Sequence, residues 1–206
     1  MDFDLSEDQR LLQDSLAKLP KDKYGFEQRK GYIKSETGWS REVWAAYAEL
    51  GLLGMPFAEE DGGLGYGTVE TLIVMEQMGR SLTLEPFVST VVMGGGFLRH
   101  GATAEQRAAM VPQIAEGKLL LAFAHTEPQS RFDLNDVATT AKKDGAGWVI
   151  DGRKGVVVHG DTADQLIVTA RISGGRRDRD GIGVFLVPAT AQGVTRRGFG
   201  TSDGQR

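Results

Sequence analysis

Thr126-Glu127-Pro128 closes an apolar run of strand length, residues 119–124. Proline cannot donate to a ladder and biases its predecessor toward an extended shape, so a strand is expected to end there at a polar, backbone-irregular corner. No other group of residues carries as clear a chemical signal. His100, His125 and His159 share no ligand spacing and fall at a helix end and two strand ends, so they read as satisfied polar residues near a cleft and no metal site is expected. With no cysteine, thiolate catalysis, thiolate metal ligation and disulfides are excluded. Arg176, Arg177 and Arg179 could suit a phosphate, but Asp178 and Asp180 interleave with them, which favours a solvated hairpin tip. Glycines in residues 54–67 invite a nucleotide-binding reading. The acidic approach Ala58-Glu59-Glu60-Asp61 and the lack of a preceding strand argue instead for a tight loop between helices. No Ser-His-Asp or paired-carboxylate arrangement follows from spacing.

The corner lies where the pattern of the chain changes. Before residue 117 the apolar spacing is helical. Ser6 with Gln9 forms a capping box ahead of Leu12, Leu16 and Leu19, with Pro20 as terminator. Residues 21–38 are polar and unperiodic, and Ser40 then caps a helix presenting Val43, Trp44, Tyr47 and Leu50, with Gly51 to end it. Residues 68–78 predict a helix apolar on most sides, and Gly94-Gly95-Gly96 a close helix contact. Thr103 with Gln106 starts a helix that Pro112 should end or kink near Met110, with the last turn running to Gly117. Beyond the corner, residues 137–143 and 148–150 flank the turn residues 144–147 as a hairpin. Val156, Val157 and Val158 predict a further strand over 154–159, and residues 165–171 and 182–187 two more.

Two hundred and six residues, 40% of them hydrophobic, predict one or two globular domains. The formal net charge of −4 argues against a nucleic-acid partner, which would show a basic face. The N-terminus lacks a basic segment followed by an apolar core and no apolar stretch reaches spanning length, so a cytoplasmic chain without a membrane partner is expected.

Read in order, 121-LAFAHTEP-128, 139-TTA-141, 151-DGRK-154 and Ala163-Asp164 resemble the middle domain of acyl-CoA dehydrogenases. Residues 49–54, the loop at 60–65 and residues 111–117 resemble landmarks of that family's N-terminal domain, so the resemblance covers essentially the whole chain. Residues 127–133 and 201–204 look most like the small-subunit type of pimeloyl-CoA dehydrogenase. The resemblance implies an α+β fold: an N-terminal α-helical domain over 1–117, then an antiparallel β domain over 118–206 that is truncated, with the C-terminal helical bundle absent. It implies FAD, an acyl-CoA substrate, electron-transfer flavoprotein or a similar acceptor, a homo- or hetero-oligomer with a related subunit, and a place in fatty acid or dicarboxylic acid degradation.

The resemblance carries flavin contacts onto Phe123, His125 and Thr126 at the strand end, onto Arg131 and Phe132 on the pyrophosphate side, and onto Val156 and Val158 facing the ring. Two of these groups depart from the family pattern. Arg131-Phe132-Asp133 stands where Gly-Ser-Asp is usual, and arginine can replace amide donors with a charge-assisted contact to phosphate. The three valines stand where Trp-Ile-Thr is usual, which forfeits a hydroxyl bond of roughly 0.5–1.5 kcal/mol. Buried sheet positions are the competing reading for these valines. The family's catalytic glutamate belongs to the bundle, so no base is nominated and the 206 residues alone are expected to be inactive. The alternative is a non-catalytic partner subunit of a two-subunit enzyme.

Overall fold

A computed structural model describes residues 4–18 and 23–206. Leu19 and Pro20, expected to close the first helix, lie outside the described residues. The chain divides into two units, Met1–Leu119 with Gly200–Gln205, and Leu120–Phe199 with Arg206.

The first unit is helical. Helix α1 (Glu7–Leu16) starts with the Ser6/Gln9 capping box, and α3 (Arg41–Glu49) has Ser40 as its N-cap, the hydroxyl accepting from the Val43 amide at 3.2 Å. Val43, Trp44 and Tyr47 of α3 are buried, Leu50 is half exposed, and Gly51 follows in the left-handed region. Trp44 packs edge-on to Trp39 and to Tyr47, and its indole N–H donates to the Gly117 carbonyl. Helix α2 (Phe26–Lys34) was not expected: it buries no side chain, so the periodic signal of a core face is missing.

Helix α4 (Thr68–Ser81) buries Ile73, Val74, Gln77 and Met78 and exposes Val69 and Leu72, so it has one inward face where an apolar surround was expected. The loop before it carries a short turn at Glu59–Asp61, and a Cβ at Gly63 would come within 2.2 Å of the Phe57 carbonyl oxygen. That glycine serves a close backbone approach within a helix-connecting loop. A π-helical segment (Val88–Gly94) leads into α5 (Gly95–Gly101), where Gly95 lies against the buried Phe57 ring. Helix α6 (Ala104–Ala115) opens on the Thr103/Gln106 capping box and continues through Pro112 to a last turn closed at Gly117, so the proline does not end it near Met110. Pro112 is exposed, and so is Ala108, whose carbonyl loses its usual donor and can turn to water. Met110, Val111 and Ile114 meanwhile hold the last turn to the core.

The second unit holds β1 (Leu121–Ala124), β2 (Thr140–Asp144), β3 (Gly147–Asp151), β4 (Gln165–Arg171) and β5 (Ile182–Pro188). The α+β class holds, but the sheet is mixed and not purely antiparallel. The hairpins β2–β3 and β4–β5 are antiparallel, whereas β1 pairs parallel to β4 from Leu121↔Gln165 to Ala124↔Val168. The long excursion between β1 and β4 brings the chain back to the same end of the sheet, which a tight turn could not do.

The expected strand at residues 154–159 is absent. Residues 152–157 are irregular and residues 158–162 form a turn, with the Gly160 amide donating to the Val157 carbonyl and the Ala163 amide to the His159 carbonyl. Val156 and His159 sit at φ 53° and 55°, outside the extended region, and Val156 is 85% exposed. Local hydrogen bonding thus overrides the propensity of three valines, and the buried-sheet reading of Val156 and Val158 fails with it.

Candidate functional site

Alternation along β1 places Phe123 and His125 on one side of the strand, and their rings stack at 4.4 Å and 12°. The Thr126 hydroxyl lies 3.2 Å from His125 Nε2, and the buried His125 Nδ1 has no hydrogen-bond partner among the described residues. Two bonds tie this strand end to the turn after β3: Gly155 N–H donates to the Thr126 carbonyl at 2.8 Å, and Lys154 Nζ to the His125 carbonyl at 3.3 Å. The structure thereby brings Phe123, His125 and Thr126 together beside the segment that bears Val156 and Val158.

Behind the corner lies a buried ion pair. Lys154 Nζ stands 2.7 Å from Glu127 Oε1 and donates also to Thr169 Oγ1. Glu127 further accepts from Gln129 Nε2 and from the Ala138 and Thr139 amides. Burial pushes the Glu127 carboxyl up, but the bonds from Lys154, Gln129, Thr139 and Ala138 outweigh it and hold the group at about 2. Burial pulls the Lys154 ammonium below its ordinary value and Glu127 offsets part of this. The Glu127 carboxylate is therefore ionised at neutral pH, and its charge favours the ammonium form of Lys154 beside it. His125 is pulled down first by burial and then by the Lys154 charge, so its imidazole favours the neutral form.

Arg131 and Phe132 occupy the exposed loop after the Ser130 turn, in which Ser130 Oγ donates to the Glu127 carbonyl and accepts from its amide. Arg131 is exposed at φ 47°, with no ion-pair partner among the described residues, and Phe132 is 98% exposed. Arg131, Val156 and His159 are three of the four non-glycine residues at positive φ among the described residues. Val156 matters most, since a β-branched side chain there costs about 1–3 kcal/mol and such strain gathers at binding sites.

Sequence reasoning missed the supporting network. Glu127 and Lys154 belong to the 121–128 and 151–154 motifs, but nothing in their spacing announces a bond between them. The arginines of the 173–181 loop find their carboxylate elsewhere. Arg176 and Arg177 bracket the buried Asp136 and hold its carboxyl well below the usual range, so the tip is anchored instead of merely solvated. The buried Arg171 guanidinium donates to the carbonyls of Asn135, Arg176, Asp178 and Asp180.

Residues 6–118 match the model described as "Acyl-CoA dehydrogenase, N-terminal domain", and residues 122–206 match "Acyl-CoA dehydrogenase, middle domain". The chain belongs to the acyl-CoA dehydrogenase family. It is 34% identical over 157 residues to acyl-CoA dehydrogenase FadE12 of Mycobacterium tuberculosis, a match spanning 75% of this chain and 40% of that protein. Benzylmalonyl-CoA dehydrogenase of Aromatoleum aromaticum is 29% identical over 197 residues, spanning 95% of this chain and 51% of that one. Among solved structures, the ChsE4-ChsE5 complex from Mycobacterium tuberculosis superposes with a TM-score of 0.84 at 25% identity, covering 98% of this chain and 52% of that chain. The Tcur3481-Tcur3483 steroid ACAD gives 0.80 at 29% identity, covering 94% and 50%. This acyl-CoA dehydrogenase-family chain thus spans about half or less of the length of these relatives.

Proposed function

We propose that these residues form the flavin-side portion of an FAD-dependent acyl-CoA dehydrogenase, an oxidoreductase that desaturates an acyl-CoA thioester between its α and β carbons. The observation that carries the reading is the corner at the end of β1, where a threonine hydroxyl and a neutral imidazole adjoin exposed apolar side chains on a rigid ionic support.

The residues present fit the group. The hydroxyl of Thr126, with the His125 imidazole beside it and the Phe123 ring stacked on that imidazole, suits the polar edge of a flavin ring. Val156 and Val158 offer apolar contact, and the exposed Arg131 guanidinium suits a diphosphate, with Phe132 next to it to exclude water. FAD, when bound, supplies the two-electron acceptor. The Lys154 ammonium, paired with Glu127, holds the His125 carbonyl and the Gly155 amide holds that of Thr126, and the reading assigns no catalytic base to these residues, so catalysis by them alone is not expected.

An electron-transfer flavoprotein as acceptor, a related subunit as oligomeric partner and a cytoplasmic location go with this reading. Among the described residues no helix is long and apolar enough to cross a membrane.

A second reading is a non-catalytic partner subunit. Val158 in the position of the family's threonine favours it, as does the likeness to the ChsE4-ChsE5 complex and to Tcur3481-Tcur3483. Anaerobic addition of a saturated acyl-CoA to the purified protein assembled with FAD and its related subunit separates the two. Bleaching of flavin held by this chain supports the dehydrogenase, whereas flavin held only by the other subunit supports the partner role.

A further inference from the structure

His125 has one ring nitrogen on the Thr126 hydroxyl and the other buried without a partner among the described residues. A neutral imidazole has one N–H, so one of two tautomers must hold. With the proton on Nδ1, a buried donor is orphaned, and Nε2 must accept the single hydroxyl proton of Thr126. With the proton on Nε2, the imidazole donates to Thr126 Oγ1 and only an acceptor is left unsatisfied. Orphaned buried donors are the rarer and costlier case, so the second arrangement is favoured.

Its consequence falls on Thr126. A hydroxyl that already receives a hydrogen bond has its own proton free to point outward. We propose that His125 is a positioning residue that fixes the Thr126 hydroxyl as a donor toward an acceptor atom of the flavin ring. The inference rests on the flavin reading of the corner. The Phe123 ring, stacked on the imidazole at 4.4 Å, keeps Nε2 aimed at the hydroxyl, and the Lys154 ammonium on the His125 carbonyl fixes the backbone. Protonation of His125 would leave the arrangement at Thr126 unchanged, because both nitrogens then donate.

The test is a double-mutant cycle read by FAD titration of the protein, with Thr126→Val, His125→Phe, the pair combined, and His125→Gln. Phenylalanine keeps the stack on Phe123, while the glutamine amide can donate to Thr126. Thr126→Val should weaken FAD about three- to tenfold, the worth of one hydrogen bond. His125→Phe should match it, the double variant should be no worse than either single one, and His125→Gln should restore most of the affinity. A weakened Thr126→Val beside an unaffected His125→Phe, or additive losses, would overturn the inference and leave the flavin reading standing. No effect of Thr126→Val would remove the corner from the flavin site and both conclusions with it. Nitrogen-15 spectra of the unsubstituted protein give a check that no folding defect can confuse: a proton resident on Nδ1 of His125 overturns the inference.

Discussion

Glu127 and Lys154 show how much of the site depends on groups that need not touch a ligand. Both side chains are buried, so removing one partner strands a charge, and Lys154→Met should cost about 3–5 kcal/mol in denaturant unfolding. The Glu127 carboxyl stands at about 2 in the fold against an ordinary 4.5, so the unfolded chain binds more protons in the interval between. The stabilisation is complete above 4.5 and drains as pH falls toward about 2. Unfolding midpoints followed through that window should drop less steeply in Glu127→Gln. Val156 presents the opposite balance. Glycine relieves its φ of 53° but removes the exposed apolar contact, so Val156→Gly should raise the melting temperature and weaken FAD together. Arg131→Ala should weaken FAD more than Thr126→Ala, since a charge-assisted bond to phosphate exceeds a neutral one; unchanged affinity of Arg131→Ala in titration would take Arg131 out of the site.

The loop that joins β4 to β5 is held in part by the last residue of β4. Arg171 gathers four backbone carbonyls from residues 135–180, a fan that a lysine cannot reproduce from a single nitrogen. Arg171→Lys should therefore speed amide exchange across residues 173–181 while the β1–β4 ladder stays protected. Such anchors are the illegible part of a sequence. The capped helices α1, α3 and α6 and the strands β4 and β5 were readable because caps and apolar periods are local. Helix α2 was not, since it buries nothing, and three valines in a row misled because turn hydrogen bonds around Gly160 outweighed their preference. Pro112 misled for a related reason: an exposed proline near a helix end loses one bond to water and little else. At the site, Thr126 was visible from the proline after it. The bonds from Gly155 and Lys154 that complete the corner cross some 29 positions of sequence and leave no local trace.

Across the molecule, a helical unit and a mixed-sheet unit divide near residue 119, and each matches its own family domain. The flavin reading assigns the ring and diphosphate contacts argued above to the sheet unit, in two stretches that flank the β2–β3 hairpin. Hydrogen–deuterium exchange of the protein with and without saturating FAD measures this over the whole chain at once. The account predicts slowed exchange confined mainly to residues 123–132 and 154–160. Protection elsewhere in the sheet unit, with those two stretches exchanging as fast as before, would contradict it.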